Sequence, residues 1–407
     1  MNDSASSARS ALYVVIPGEL DTRTGGYGYD RRIIAGLRDL GWPVEVLRLD
    51  DSFPTPTPAA RSHAVQVFAA IPDGSTVLVD GLALGALPEE VEREAPRVTI
   101  VALVHHPLAA ETGIDRALAA ALEVSERRAL AAVRSVVVTS HATAARLADY
   151  GVTADRVTVV EPGTDPAPPA RGSVAGNVAP NVGRVLLDPA AGGSEKTRPT
   201  SALVAAPAPV ALLCVATLTP RKGYELLISA LASIPQRNWR LTCAGSLDRD
   251  PLTVARVRTQ LRDAGLEDRV SLVGDLDQGA LAEEYDRADL FVLPTLYEGY
   301  GMAVAEALAR GLPVISTATG AIADLVLGTG SARLQPDHAA GVVALPGDLP
   351  AFTDALARVI GDARLRATLT ANARGRRGRL PGWDAAAAAM AKALERVGRR
   401  PAVLPEV

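Results

Sequence analysis

The chain has 407 residues, 48% of them hydrophobic, and a formal net charge of −4. That length fits two or three domains with full-sized cores. The mildly acidic balance excludes an extended nucleic-acid surface, and no nucleic-acid partner is expected. The two cysteines, Cys214 and Cys243, each lie in an apolar run with no Cys/His cluster nearby. They read as reduced structural thiols, consistent with a reducing, cytoplasmic compartment. The first ten residues are polar and no apolar run approaches a membrane span, so neither a signal peptide nor a transmembrane helix is expected.

The first part alternates strands and helices, the pattern of a parallel sheet covered on both faces. Strands are predicted at Ala11–Ile16, Val44–Leu49, Thr76–Val79, Val98–Val104, Ser135–Thr139 and Arg156–Val160. After the first strand, Gly25-Gly26-Tyr27 reads as a turn before a helix Gly28–Leu40 closed by Gly41. The turn is structural or phosphate-binding, but it lacks the Gly-x-Gly-x-x-Gly spacing of a dinucleotide fingerprint. His105 and His106, two of five histidines, end the strand Val98–Val104 just before Pro107. Glu111 follows closely and adds a carboxylate near that strand end.

Residues 166–208 are rich in Pro, Gly, Ala and Ser with little periodicity, and read as a linker or flexible insertion. The alternation then restarts with strands Ala211–Ala216, Trp239–Ala244, Arg269–Val273, Asp289–Leu293 and Pro313–Ser316. Helices begin near Lys222, Pro251, Gln278 and Met302. The tail from Pro350 to Val397 is mostly helical, with a break at Pro381-Gly382 and a last helix from about Trp383. Two doubly wound α/β domains joined by a linker account for this order. Ligands in such sheets bind beyond the carboxyl ends of the strands, so the cleft is expected between the domains.

The chemistry concentrates in Leu293-Pro-Thr-Leu-Tyr-Glu298-Gly-Tyr-Gly-Met302-Ala-Val-Ala-Glu306. A buried strand ends at Pro294, a glycine-rich turn follows, and a helix Met302–Arg310 stops at Gly311. Free N–H groups of the turn and the helix dipole form an anion site. Glu298 lies on the loop and Glu306 about one turn inside the helix. A second loop, Pro220-Arg221-Lys222-Gly223, puts two cations at a predicted helix start, where their charge opposes the dipole and calls for an anion partner. Asp248-Arg-Asp250 and Asp275-Leu-Asp277 carry the two-aspartate spacing of some cation sites. They fall in turns far along the chain from the Glu298 loop, and no metal role is assigned to them. Arg374, Arg376, Arg377 and Arg379 form a basic cluster, read as a solvated helix face or as a contact for a membrane surface.

The Glu298 loop resembles the Glu-x7-Glu motif of retaining glycosyltransferases of family 4, which have the GT-B fold. The likeness takes in the Glu-Gly-x-Gly core, the following Ala-Glu-Ala-Leu-Ala-x-Gly-x-Pro-Val run, and Val159-Val-Glu-Pro-Gly-Thr-Asp165 at the domain junction. It implies an N-terminal acceptor-side domain over 1–165, the linker 166–208, a nucleotide-sugar-binding domain over 209–380, and a C-terminal helix, 381–407, that returns to the first domain. It further implies a metal-independent transfer from a nucleotide-sugar donor to a sugar, lipid-linked or small-molecule acceptor, with no cofactor. Glu306 would take the ribose hydroxyls. Gly299, Tyr300, Gly301 and Met302, with Lys222 and Arg221, would hold the diphosphate. Glu298 would meet the sugar hydroxyls, and His105 would shape the sugar site from the other domain. Gly25, Gly26, Tyr27 and Glu111 would lie on the acceptor side. The family's usual Arg slot is here Thr217, which leaves the second cation of the clamp to Arg221. The stretch Leu327–Val342 departs from the family's short glycine-rich link. Two alternatives stand beside this reading: a nucleotide-sugar epimerase or sugar phosphorylase of the same fold, and a catalytically silent sugar-nucleotide-binding subunit. A lipid-linked acceptor would place the protein peripherally at the inner membrane face.

Overall fold

The computed structural model describes residues 10–111, 113–173, 208–328 and 338–399. Within them the chain forms two parallel, six-stranded sheets. The first contains β1 (Leu12–Pro17), β2 (Val44–Leu49), β3 (Thr76–Asp80), β4 (Thr99–Val104), β5 (Ser135–Val138) and β6 (Val157–Val159). The second contains β7 (Val210–Val215), β8 (Trp239–Ala244), β9 (Val270–Gly274), β10 (Leu290–Leu293), β11 (Val314–Thr317) and β12 (Gly341–Ala344). Central strands such as β4, β5 and β10 are near-continuous Val, Ile, Leu and Phe, because helices cover both faces and no side of the pleat meets water.

The strand orders are β2-β1-β3-β4-β5-β6 and β12-β11-β10-β7-β8-β9. Each reverses direction of growth once, between β1 and β3 in the first sheet and between β7 and β10 in the second. A doubly wound sheet opens its ligand crevice at that switch point, beyond the carboxyl ends of the strands. The loops after β1, β3, β7 and β10 are therefore the ones that topology assigns to a site, and the sequence had singled out three of them. The strand missed by sequence is β12, whose four residues follow the irregular stretch from Leu327.

The last helix, Trp383–Arg399, does not join the second sheet. Its Trp383, Ala386, Met390 and Leu394 pack into one cluster with Tyr29, Ile33 and Leu37 of the helix Gly25–Asp39 in the first domain. The crossing is tied down where Thr164 N–H donates to the Pro381 carbonyl at 2.7 Å. The early part of the linker is not loose. Ala170 is buried, its N–H donates to the Arg310 carbonyl at 2.8 Å, and Arg171 pairs with Asp286. The reading of a flexible insertion over 166–208 is thus corrected for its first residues, and 174–207 lie outside the described residues.

Candidate functional site

Two helix N-termini face each other across the domains. Thr24 caps the helix Gly25–Asp39 by accepting from Tyr27 N–H, so Gly25-Gly26-Tyr27 is the helix's first turn and not a loop ahead of it. Opposite stands the helix Met302–Ala309, whose N-cap is Gly301 at φ +99. That left-handed conformation is open to glycine and strained for other residues. The Met302 side chain bridges the two starts, and Cβ atoms built on Gly25 and Gly28 would lie 3.9 Å from its Sδ and Cε. Both dipoles direct their positive ends into the same space. Gly299 brings the loop backbone so close to the His105 carbonyl that a Cβ there would overlap it.

The second loop is also rearranged relative to the sequence expectation. Pro220–Lys222 form a 3-10 turn, and Gly223 in the left-handed region separates them from the helix Tyr224–Ser233. Arg221 and Lys222 therefore lie just ahead of the helix and not in its first turn. Arg221 Nη1 donates to the Tyr297 carbonyl at 2.9 Å and lies 3.7 Å from Glu298 Oε2. Lys222 Nζ donates to Glu298 Oε1, which also accepts from the Thr295 hydroxyl at 3.2 Å. Burial alone would raise the Glu298 carboxyl. The Lys222 and Arg221 charges outweigh it and hold Glu298 below the usual carboxylate range.

From the first domain, Glu111 reaches across to the same arginine, accepting from Arg221 Nε at 3.0 Å. Glu111 Oε2 lies 3.3 Å from His106 Nε2, and the His106 ring stands 5.9 Å from that of Tyr297. His106 thus faces the interdomain charge network. His105 is turned the other way, with Nε2 3.1 Å from Asp30 Oδ1 and 3.6 Å from Asp80 Oδ2, while its carbonyl meets the hydroxyls of Thr139 and Thr143. The loop that carries both histidines is held from below by Glu126, which accepts the Leu108 N–H at 2.9 Å.

Glu306 sits apart from these charges. Burial raises its carboxyl above the ordinary value, and the Tyr285 hydroxyl, 3.1 Å from Oε2, pulls it part of the way back. Arg310 lies 4.2 Å over the Tyr285 ring and fixes that side chain from the far face.

Some expectations are corrected. The Tyr300 ring is 5% exposed and packs against Ala305 and Ala321, so only its backbone N–H is available to a ligand. The Tyr27 hydroxyl donates to the Pro17 carbonyl and ties the helix to the end of β1. One aspartate of each Asp-x-Asp pair is a helix cap: Asp250 accepts from Thr253 N–H and Asp277 from Ala280 N–H. Arg376 donates to the Leu325 and His338 carbonyls and Arg377 to those of Ala309 and Ala167, so these two of the four clustered arginines brace loops and helix ends. No helix among the described residues is long and apolar enough to cross a membrane. Sequence reasoning missed Asp30, Asp80, Glu126 and Tyr285. A signal existed for the first two: Asp30 interrupts the buried stripe Tyr29, Ile33, Ile34 and Leu37, and Asp80 ends an apolar strand.

The sequence matches the family model of Glycosyl transferases group 1 over residues 202–376 and that of Glycosyltransferase Family 4 over residues 81–168. A D-inositol 3-phosphate glycosyltransferase of Xylanimonas cellulosilytica is 34% identical over 42% of this chain and 38% of its own length. A lipopolysaccharide core biosynthesis mannosyltransferase, LpsB of Rhizobium meliloti, is 33% identical over 44% of this chain and 49% of its own. The chain thus matches about half or less of the length of these curated relatives. Among solved structures, sucrose-phosphate synthase from Thermosynechococcus elongatus superposes with a TM-score of 0.73 at 20% identity, over 96% of this chain and 99% of that one. HepE of Anabaena in complex with UDP-glucose gives 0.67 at 17% identity, over 95% and 100%. Two Rossmann-like domains that face each other across their carboxyl-edge loops define the GT-B class. The two family models match separate parts of the chain, and with the relatives and the fold they support a GT-B glycosyltransferase of the family-4 type.

Proposed function

We propose that this protein transfers a sugar from a nucleotide-sugar donor to an acceptor hydroxyl, with retention at the anomeric carbon and without a metal ion. The observation that carries the reading is the convergence of Arg221, Lys222 and the N-terminus of the helix Met302–Ala309 around Glu298. Departure of the leaving group builds negative charge on a diphosphate, and these groups supply fixed positive charge at that place. Glu298 pairs with Lys222 and lies 3.7 Å from Arg221, which Glu111 also holds. A bound diphosphate replaces it on Lys222 and Arg221, and Glu298 turns to the hydroxyls of the donor sugar. Arg221 then fills the role left open by Thr217. Glu306, partly desolvated and held by Tyr285, accepts the two ribose hydroxyls as charge-assisted bonds. Release of Glu111 from Arg221 frees a carboxylate on the acceptor side. The acceptor proton passes to the leaving phosphate, because the carboxylates of this site are assigned to binding.

The two relatives are named for D-inositol 3-phosphate and for lipopolysaccharide core biosynthesis, and a small polyol or a sugar is the acceptor class we favour. With Arg376 and Arg377 engaged on carbonyls, a membrane-surface contact finds less support than a soluble acceptor. The test is a thermal-shift screen with UDP-, GDP- and ADP-sugars, followed by transfer assays with the stabilising donor. The anomeric configuration of the product is read by NMR. Inversion would refute retention, and activity lost to EDTA and restored by magnesium or manganese would refute metal independence. Consumption of the donor with no transfer would refute the transferase reading.

A further inference from the structure

We propose that Asp30 and Asp80 are positioning residues for His105: Asp30 accepts from Nε2, Asp80 sets a second carboxyl just beyond hydrogen-bond reach of the same nitrogen, and together they hold the imidazole in one inward orientation. Through the ring they set how the His105 carbonyl meets the Gly299 loop. The inference rests on the reading of His105 as a wall of the sugar site.

The geometry is specific. Asp30 comes from the helix Gly25–Asp39 and is 2% exposed, and Asp80 ends β3 and is 3% exposed. Their nearer oxygens lie 3.1 and 3.6 Å from the same imidazole nitrogen. Asp80 Oδ1 is already committed, accepting from Leu82 N–H at 2.8 Å. The Tyr29 ring stands edge-on to the imidazole, with centroids 5.4 Å apart at 86°. Gly26 closes the other side, where a Cβ would lie 3.5 Å from His105 Cδ2. The ring is therefore fixed on each of these sides. Two carboxylates buried this deeply need positive charge or protons beside them.

The titratable groups turned toward the ring are Asp30 and Tyr29 of the one helix and Asp80 of β3. Tyr27 lies within electrostatic reach of both carboxylates. Next in the chain, His106 turns away to Glu111, and from the side of β5 Thr139 and Thr143 offer hydroxyls to the His105 carbonyl. Burial by itself would lower the imidazole. Asp30 first and Asp80 after it outweigh burial and raise it above its ordinary value. Burial, then the Asp30 charge, pushes the Asp80 carboxyl up to about 7, against the pull of His105. Deep burial favours a state in which the group as a whole carries no net charge. The nearer oxygens of the two carboxylates and the imidazole nitrogen lie within 4.8 Å of one another, so a divalent cation is the competing occupant.

The experiment is nitrogen-edited NMR of the imidazole side chains in the full chain, with the His105 signals assigned from His105→Gln. We expect His105 to carry its proton on Nε2 and to titrate above the ordinary histidine value of 6.5. In Asp30→Asn the titration should move below that of the wild type, and in Asp80→Asn it should move less. A wild-type His105 that titrates at or below the ordinary value overturns the proposal, and so does a titration unchanged in Asp30→Asn. If the asparagine variants do not fold, the wild-type titration and tautomer decide alone. A stoichiometric divalent ion in the purified protein, whose removal by a chelator shifts the His105 signals, also overturns it. The titration needs no turnover, so a chain inactive with every donor would refute the transferase reading and leave this one standing.

Discussion

Glu126 offers the sharpest test of the energetics, because its burial and its partner are both defined. It lies on the helix Arg116–Ala132, is 1% exposed, and uses Oε2 to accept the Leu108 N–H at 2.9 Å. Its Oε1 has no hydrogen-bond partner among the described residues. Burial pushes the carboxyl from 4.5 up to about 8, against the pull of the Leu108 N–H and with some help from Glu123. A pKa raised by folding means that the native state holds the proton more tightly. Its contribution is fully present below the ordinary carboxylate pKa and is lost as pH rises through the native value. At about 1.36 kcal/mol per unit, the whole effect is roughly 4–5 kcal/mol, of which roughly 2–3 kcal/mol falls between about pH 6 and about pH 9. Glu126→Gln keeps an acceptor for Leu108 N–H and removes the titration. Urea unfolding at the two pH values should show the wild type losing roughly 2–3 kcal/mol more than the variant. Asp80, raised in the same direction, is common to both proteins and cancels in the comparison. Parallel stability curves for the two proteins would refute the reasoning, since they would mean that Glu126 does not ionise with a penalty in the native state.

Three further outcomes follow from the site. Lys222→Ala leaves Glu298 with the Thr295 hydroxyl at 3.2 Å and Arg221 at 3.7 Å, and breaking so enclosed a pair should cost roughly 3–5 kcal/mol and weaken binding of nucleoside diphosphate in calorimetry; retained affinity would remove Lys222 from the diphosphate site. Tyr285→Phe deletes the hydroxyl 3.1 Å from Glu306 but keeps the ring stacked near Phe291 and under Arg310. Nucleotide affinity should fall about tenfold, the effect of roughly 1–2 kcal/mol for one bond to a charged group, and an unchanged affinity would separate Tyr285 from the ribose site. Gly299→Ala inserts a Cβ into the His105 carbonyl, so the domains should stand further apart and turnover should drop, read by small-angle scattering and initial rates; wild-type dimensions and rates would show that the close approach is dispensable.

The sequence by itself determined the fold class and the location of the cleft. Alternating apolar runs and Ala-rich helices can bury both faces of a sheet only as a doubly wound parallel domain, and strand ends followed by glycine or paired cations mark the crevice. That Glu298 and Lys222 stand in loops after strand ends was legible, because a local motif carries each of them. Local spacing did not reveal which groups far apart in the chain become partners. Asp30, Asp80 and His105 come from three elements separated by up to 75 residues, and only the packing of the helix Gly25–Asp39 against β3 and β4 joins them. Glu111 and Arg221 meet across 110 residues and two domains. Tyr285 reaches Glu306 from the preceding helix. In each case the partner is chosen by burial: a polar group removed from water must find another within hydrogen-bond reach, and only the folded chain decides which one is there.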